Sequence, residues 1–175
     1  MTVIPFIRPS DRTASVIREI IPEADSLVRI RAYWEGLRSG RRFPARSDVD
    51  PLSMPLTALP YLYLLDVQTQ PRDYRYRLLG TGIVNKSQRD YTGELVSSLR
   101  HQRRPSALWT QLGVAVDEAR PVCVELPYVG PEQTIKKVQS LALPLGPTDE
   151  HVTMLLGVIS FEIQSSESTD RQRSI

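Results

Sequence analysis

Residues 74–93 read YRYRLLGTGIVNKSQRDYTG, and their pattern decides the fold. Tyr74 to Leu79 alternate as a strand does, with Tyr74, Tyr76 and Leu78 on one face and Arg75, Arg77 and Leu79 on the other. Gly80 and Gly82 then permit a sharp break where a Cβ would clash. A short helical pattern follows and ends at the turn RDYTG. A strand that breaks this way must send its helical continuation back over one face of its own sheet. A bound molecule, if there is one, belongs under that fold-back.

The flanking segments supply the rest of the sheet. Tyr61–Gln68, YLYLLDVQ, is apolar on both faces, and the short connection TQPRDY, with Asp73 in the turn, makes it a hairpin partner for Tyr74–Gly80. Beyond the fold-back, Ile83–Gln88 and Gly93–Leu99 read as short helical pieces. Arg104–Ala119 reads as a longer helix, opened by Pro105, with Leu108, Leu112, Ala115 and Ala119 as its stripe and Trp109 and Val116 beside it. Three strands close the chain: Pro121–Tyr128, Ile135–Leu145 and Val152–Ile163. The last is apolar on both faces and so belongs in the middle of the sheet. The order predicts an α+β fold, a five-stranded antiparallel sheet with helices on one face and an N-terminal helical extension free to cover the other.

Upstream, Ser10 or Asp11 can cap a first helix whose apolar edge is Val16, Ile17, Ile20 and Ile21. Pro22 suits the first turn of a second helix, which carries Leu27, Ile30, Trp34 and Leu37 at spacings of three and four and stops at Gly40. Four prolines between Arg41 and Pro60 forbid long regular structure there, and Leu52, Met54, Leu56 and Leu59 need cover. Residues 164–175 are polar and without periodicity, the pattern of a disordered tail. The expected division is therefore 1–40 as a helical extension, 41–163 as the domain and 164–175 as the tail.

Totals narrow the function. A chain of 175 residues with 41% apolar and 24% charged side chains suits one soluble domain with extensions. The net charge of +2 and the short basic runs 38–46 and 100–104 argue for solvated surface, not a nucleic-acid face. One cysteine, Cys123, excludes an intrachain disulfide. The longest apolar run, Val152–Phe161, falls well short of the roughly 20 residues a membrane span needs. The N-terminus lacks a secretory pattern, and the expected location is the cytoplasm.

Several words in the chain, taken in order, resemble a PAS domain, and in particular a bacterial branch of small single-PAS-domain proteins. They are AYWEGLRSGRRFPARSDVDP (Ala32–Pro51), LPYLYLLDV (Leu59–Val67), YRYRLLGTGIV (Tyr74–Val84) and RDYTG (Arg89–Gly93). Gln88 departs from the pattern, because a glycine is expected before Arg-Asp. The resemblance implies a sensory or interaction module without catalytic activity, one that holds a small ligand between sheet and helices. It also implies dimerisation through N-terminal helices, and signalling through contact with a partner protein.

Specific chemistry finds little support in the pattern. Gly80-Thr81-Gly82 lacks the third glycine of a dinucleotide fingerprint, Asn85 standing in its place. His101 and His151 are the only histidines; each reads as a surface residue, with His101 the one to test as a haem ligand. Cys123 lies on a strand, outside the setting of a flavin-reactive cysteine. Two distant histidines and one cysteine make no zinc site. No cofactor can be named. Among Arg75, Arg77, Asp90 and Glu94, an Arg77–Asp90 ion pair clamping fold-back to strand is favoured over an anchor for an anionic ligand. The expected pocket walls are Tyr76, Leu78, Ile83, Trp109, Leu112 and Leu156, with Tyr76 and Ser140 as its polar points. Two alternatives stand beside a non-enzymatic, ligand-holding regulator: a constitutive interaction module with a filled core and no ligand, and an enzyme or a lipid or small-molecule carrier using the same cavity.

Overall fold

The computed structural model describes residues 16–163. Its five strands are β1 (Leu62–Thr69), β2 (Arg72–Leu79), β3 (Val122–Leu126), β4 (Ile135–Leu145) and β5 (Met154–Ile163). They form one antiparallel sheet in the order β2-β1-β5-β4-β3. The last strand in sequence thus lies at the centre, as its two apolar faces require. Leu155 and Val158 are fully buried on opposite faces of β5.

Helices cover both sides. On the front lie α2 (Thr81–Ser87) and α3 (Ala107–Asp117); on the back lies α1 (Asp25–Leu37). Leu27, Ile30 and Trp34 of α1 are buried, and the Trp34 indole Nε1 donates to the Pro144 carbonyl of β4 at 2.8 Å. The apolar stripe of α1 is therefore satisfied by its own sheet. Ser106 caps α3, its hydroxyl accepting from the Trp109 amide, so the helix begins two residues beyond Pro105. Gln111, fully buried on α3, donates through Nε2 to the Val122 and Ser140 carbonyls.

Four expectations change. The apolar residues Val16, Ile17, Ile20 and Ile21 are not helical. Glu19 forms an antiparallel bridge with Val124, and the Ile20 amide donates to the Cys123 carbonyl at 2.9 Å. Hydrogen bonding to the open edge of β3 outcompetes a short helix, which is marginal alone. The proposed start of that helix at Ser10 or Asp11, and the polar tail 164–175, lie outside the described residues. Second, the stretch after Gly93 is not a helix at its start. Glu94 and Gly93 exchange backbone bonds with Tyr76, sealing the outer edge of β2, and only Val96–Ser98 forms a helical turn. Third, Asp73 belongs to β2 and is buried, accepting from the Tyr74 and Ser97 amides and the Ser97 hydroxyl. Fourth, Leu52 and Leu56 stay 91% and 75% exposed, because Met54 and Ala58 are the residues this segment turns inward.

The indole bond between α1 and β4 gives a direct test. Trp34→Phe keeps most of the volume but leaves the Pro144 carbonyl unpaired in the core, so urea unfolding should show a loss of about 2 kcal/mol. An unchanged midpoint would remove Trp34 from the account of how α1 is held.

Candidate functional site

One residue changes the expected geometry of the fold-back strand. Leu64 of β1 pairs with Leu78, but Leu65 pairs with Tyr76, so Arg77 is an extra residue, a bulge. Beyond it the alternation inverts. Tyr76 and Leu79 share the front face, while Leu78 turns to the back and is half exposed. Arg77 pairs with Asp66 of β1 at 3.0 Å, not with Asp90. Asp90 instead accepts from the Thr92 amide and hydroxyl, and these bonds hold its carboxyl below the usual range. Fold-back and strand are joined by Arg75, whose guanidinium donates to the Gly93 carbonyl at 2.8 Å.

Gly80 matters through closeness and not through a special backbone angle. Its φ of −65° suits any residue, but a Cβ would run into the Pro60 carbonyl. Its amide donates to Leu62 at 2.8 Å, so α2 leaves the sheet directly over the front face. Gln88 ends α2 with φ 58° and ψ 19°, the left-handed conformation in which a glycine is expected.

Between α2, the first turn of α3 and the front face lies a cavity of about 180 Å³. Its walls are mainly apolar: Tyr63, Tyr76, Leu79, Ile83, Tyr91, Leu108, Ile159 and Phe161. Polar points come from Gln102, Ser106 and the exposed His101. The β3–β4 loop closes one side. The Tyr128 hydroxyl donates to the Lys86 carbonyl at 3.0 Å, and Lys86 Nζ meets Glu132 at 2.6 Å. That partner holds the Lys86 ammonium above its usual range and the Glu132 carboxyl below its own.

The floor rests on a feature the sequence reading missed. Gly157 of β5 lies opposite Tyr63, and a Cβ there would overlap the tyrosine ring. The ring therefore lies across the central strand, and its hydroxyl reaches Ser140 of β4 at 3.2 Å. A lone glycine inside an apolar strand was the available signal for such close approach. Above, the Tyr76 hydroxyl donates to Gln102 Oε1 at 2.8 Å. Burial raises both phenols, Tyr63 to about 12, so they are neutral near pH 7.

Of the residues expected to line a pocket, Tyr76 and Ile83 do so. Ser140 is fully buried beneath the Tyr63 hydroxyl. Trp109 packs edge-on against Tyr74 at 5.2 Å, and Leu112 is fully buried in the core that α3 joins; neither reaches the cavity. Leu78 and Leu156 lie on the back face, lining a second cavity of about 160 Å³ with Met54 and Leu64. For Leu78 the bulge is the cause; Leu156 follows from its pairing with Leu64.

A family model described as the PAS domain matches residues 23–160, nearly all the described fold. The chain belongs to the PAS domain family. The family carries a sensory or regulatory role, and the cavity of this PAS domain lies between the sheet and α2 and α3. No curated protein and no solved structure matches it. Among its described residues no helix is long and apolar enough to cross a membrane, and no three metal-ligating side chains cluster.

The buried phenols make alkaline stability a readout of this PAS domain's floor. The unfolded chain releases phenolic protons near pH ~10, while Tyr63 holds its proton to about 12. The folded state then binds more protons, so its stability is intact below about pH 10 and falls as the pH rises towards 12. Tyr63→Phe should flatten this loss in unfolding titrations at increasing pH. If every tyrosine of the folded wild type ionises near pH ~10, the floor is not dry.

Proposed function

We propose that this PAS domain is a non-catalytic regulator that holds a small, mostly apolar molecule in the front cavity and signals by contact with another protein. The observation that carries the reading is the cavity itself. It is walled largely by apolar side chains, has a few convergent polar groups, and is closed by a loop tied to α2 through Lys86 and Glu132. Occupancy acts on α2 and that loop, the two parts that meet over the bound molecule, and shifts their equilibrium between closed and open arrangements.

Binding rather than catalysis fits the chemistry of the site. Its phenols are pushed up and are poor bases near pH 7. Cys123 is buried on the back face, and burial pushes its thiol up to about 11, which disfavours the reactive thiolate. A free thiol also suits a reducing compartment, and in this reading the protein works in the cytoplasm.

The partner in this reading includes a second copy, joined through the N-terminal segment. Since α1 buries Leu27, Ile30 and Trp34 internally, the contact uses the outward apolar residues Ile21, 82% exposed, and Val28, 46% exposed. Sedimentation of the wild type should show a dimer, and the Ile21→Asp, Val28→Asp double variant should sediment as a folded monomer. A wild type that stays monomeric at every concentration removes the second copy. Native mass spectrometry with an absorption spectrum tests the other half: a retained small molecule is expected. A protein that arrives empty and whose melting temperature no small apolar molecule raises would defeat the ligand reading.

A further inference from the structure

Resting on the reading of the front cavity as a binding site, we infer that its ligand class is a small uncharged ring compound bearing one hydrogen-bonding oxygen, such as a simple phenol. Size comes first. An apolar cavity of roughly 150 Å³ accepts benzene, and the 180 Å³ here matches one substituted ring.

The walls favour a ring over a chain. Tyr63 and Tyr76 meet edge to face at 6.4 Å, and Tyr76 continues to Tyr91 at 6.1 Å. Phe161 and Tyr128 meet edge to face at 6.1 Å. Two aromatic series thus border one cavity, and a ring between them gains the edge-to-face contacts that an alkyl chain forgoes.

Charge is disfavoured against the apolar walls. The Lys86 ammonium is already neutralised by Glu132 at 2.6 Å, the neighbouring phenols stay neutral, and His101 lies exposed at the rim. A carboxylate or an amine seated between the rings would be desolvated away from any counter-charge.

The oxygen has a defined place. Gln102 accepts the Tyr76 proton through Oε1, which orients its amide nitrogen; among the described residues that nitrogen has no acceptor. The Tyr91 hydroxyl, on the same wall, likewise has no hydrogen-bond partner among the described residues. A ligand oxygen between them accepts from Gln102 Nε2 and exchanges a second bond with Tyr91.

The test uses the purified chain titrated with p-cresol, toluene, benzoate and n-hexanol, followed by backbone amide shifts and melting temperature. We expect p-cresol to bind saturably with shifts at Tyr76, Ile83 and Gln102, toluene to bind more weakly, and benzoate not to bind. Gln102→Leu should weaken p-cresol about tenfold while leaving toluene unchanged. A general loss of structure in that variant would reduce both equally, so the difference between them isolates the hydrogen bond. Hexanol binding at the same residues more tightly than p-cresol overturns the ring class and leaves the binding-site reading intact. Benzoate binding as tightly as p-cresol overturns the demand for an uncharged ligand. If none of the four binds, the class fails; a molecule retained through purification would then show that the site itself still stands.

Discussion

The structure depends on the first half of β5, residues 154–158, being buried on both faces. A strand in that position must be paired on both edges and covered on both sides, because its backbone polar groups have no water to turn to. β1 and β4 supply the two edges; α1 packs on the back of β5, and α3 packs at the front on the neighbouring β4 and β3. Once β5 is central, little freedom remains for the rest. The hairpin β1-β2 must lie on one side, the hairpin β3-β4 on the other, and the segment between β2 and β3 must cross the front. That crossing segment is the one that carries α2 and α3, so the cavity is a consequence of connectivity before it is a consequence of any particular side chain.

Within this frame, one missing side chain governs the depth of the site. Gly157 removes the Cβ that would otherwise fill the middle of the front face, and Tyr63 lies down in the space. The ring offsets the glycine's lack of apolar contact while lowering the floor by the difference between a standing and a lying side chain. Its hydroxyl needs a partner at that depth, and Ser140 meets the need from the next strand. Glycine, tyrosine and serine on three adjacent strands thus form a single unit. Removal of one changes what the other two can do.

How much of this could be read from the chain differs from residue to residue. The double-sided apolar pattern of Val152–Ile163 placed the central strand correctly, and the antiparallel hairpins followed from their turn residues. The bulge at Arg77 was not legible, because alternation continues through YRYRLL without a break in the letters. Only the pairing with Leu64 and Leu65 reveals the extra residue, and it moved Leu78 to the wrong side for the pocket. Val16–Ile21 was misread for a related reason. Its apolar residues satisfy a helical spacing, but the open edge of β3 offers hydrogen bonds that no window of local sequence records. At Gln88 the opposite holds: the position demanded a left-handed residue, and the backbone adopts that conformation although the side chain is not glycine.

The polar groups of the site also sort themselves by what they leave unfinished. Ser106 is committed to capping α3, accepting from the Trp109 amide. Tyr128 and Lys86 are committed to closing the loop over α2, and Ser140 is committed to the floor. A hydrogen-bonding group that is fully used by the fold cannot also recognise a guest without breaking something. Gln102 is different. Its oxygen is fixed by Tyr76, so the amide is oriented, and among the described residues its nitrogen has no acceptor. An oriented donor without an acceptor in the protein is completed by water or by a ligand. That incompleteness, and not the cavity's volume alone, is what the proposed ligand would answer.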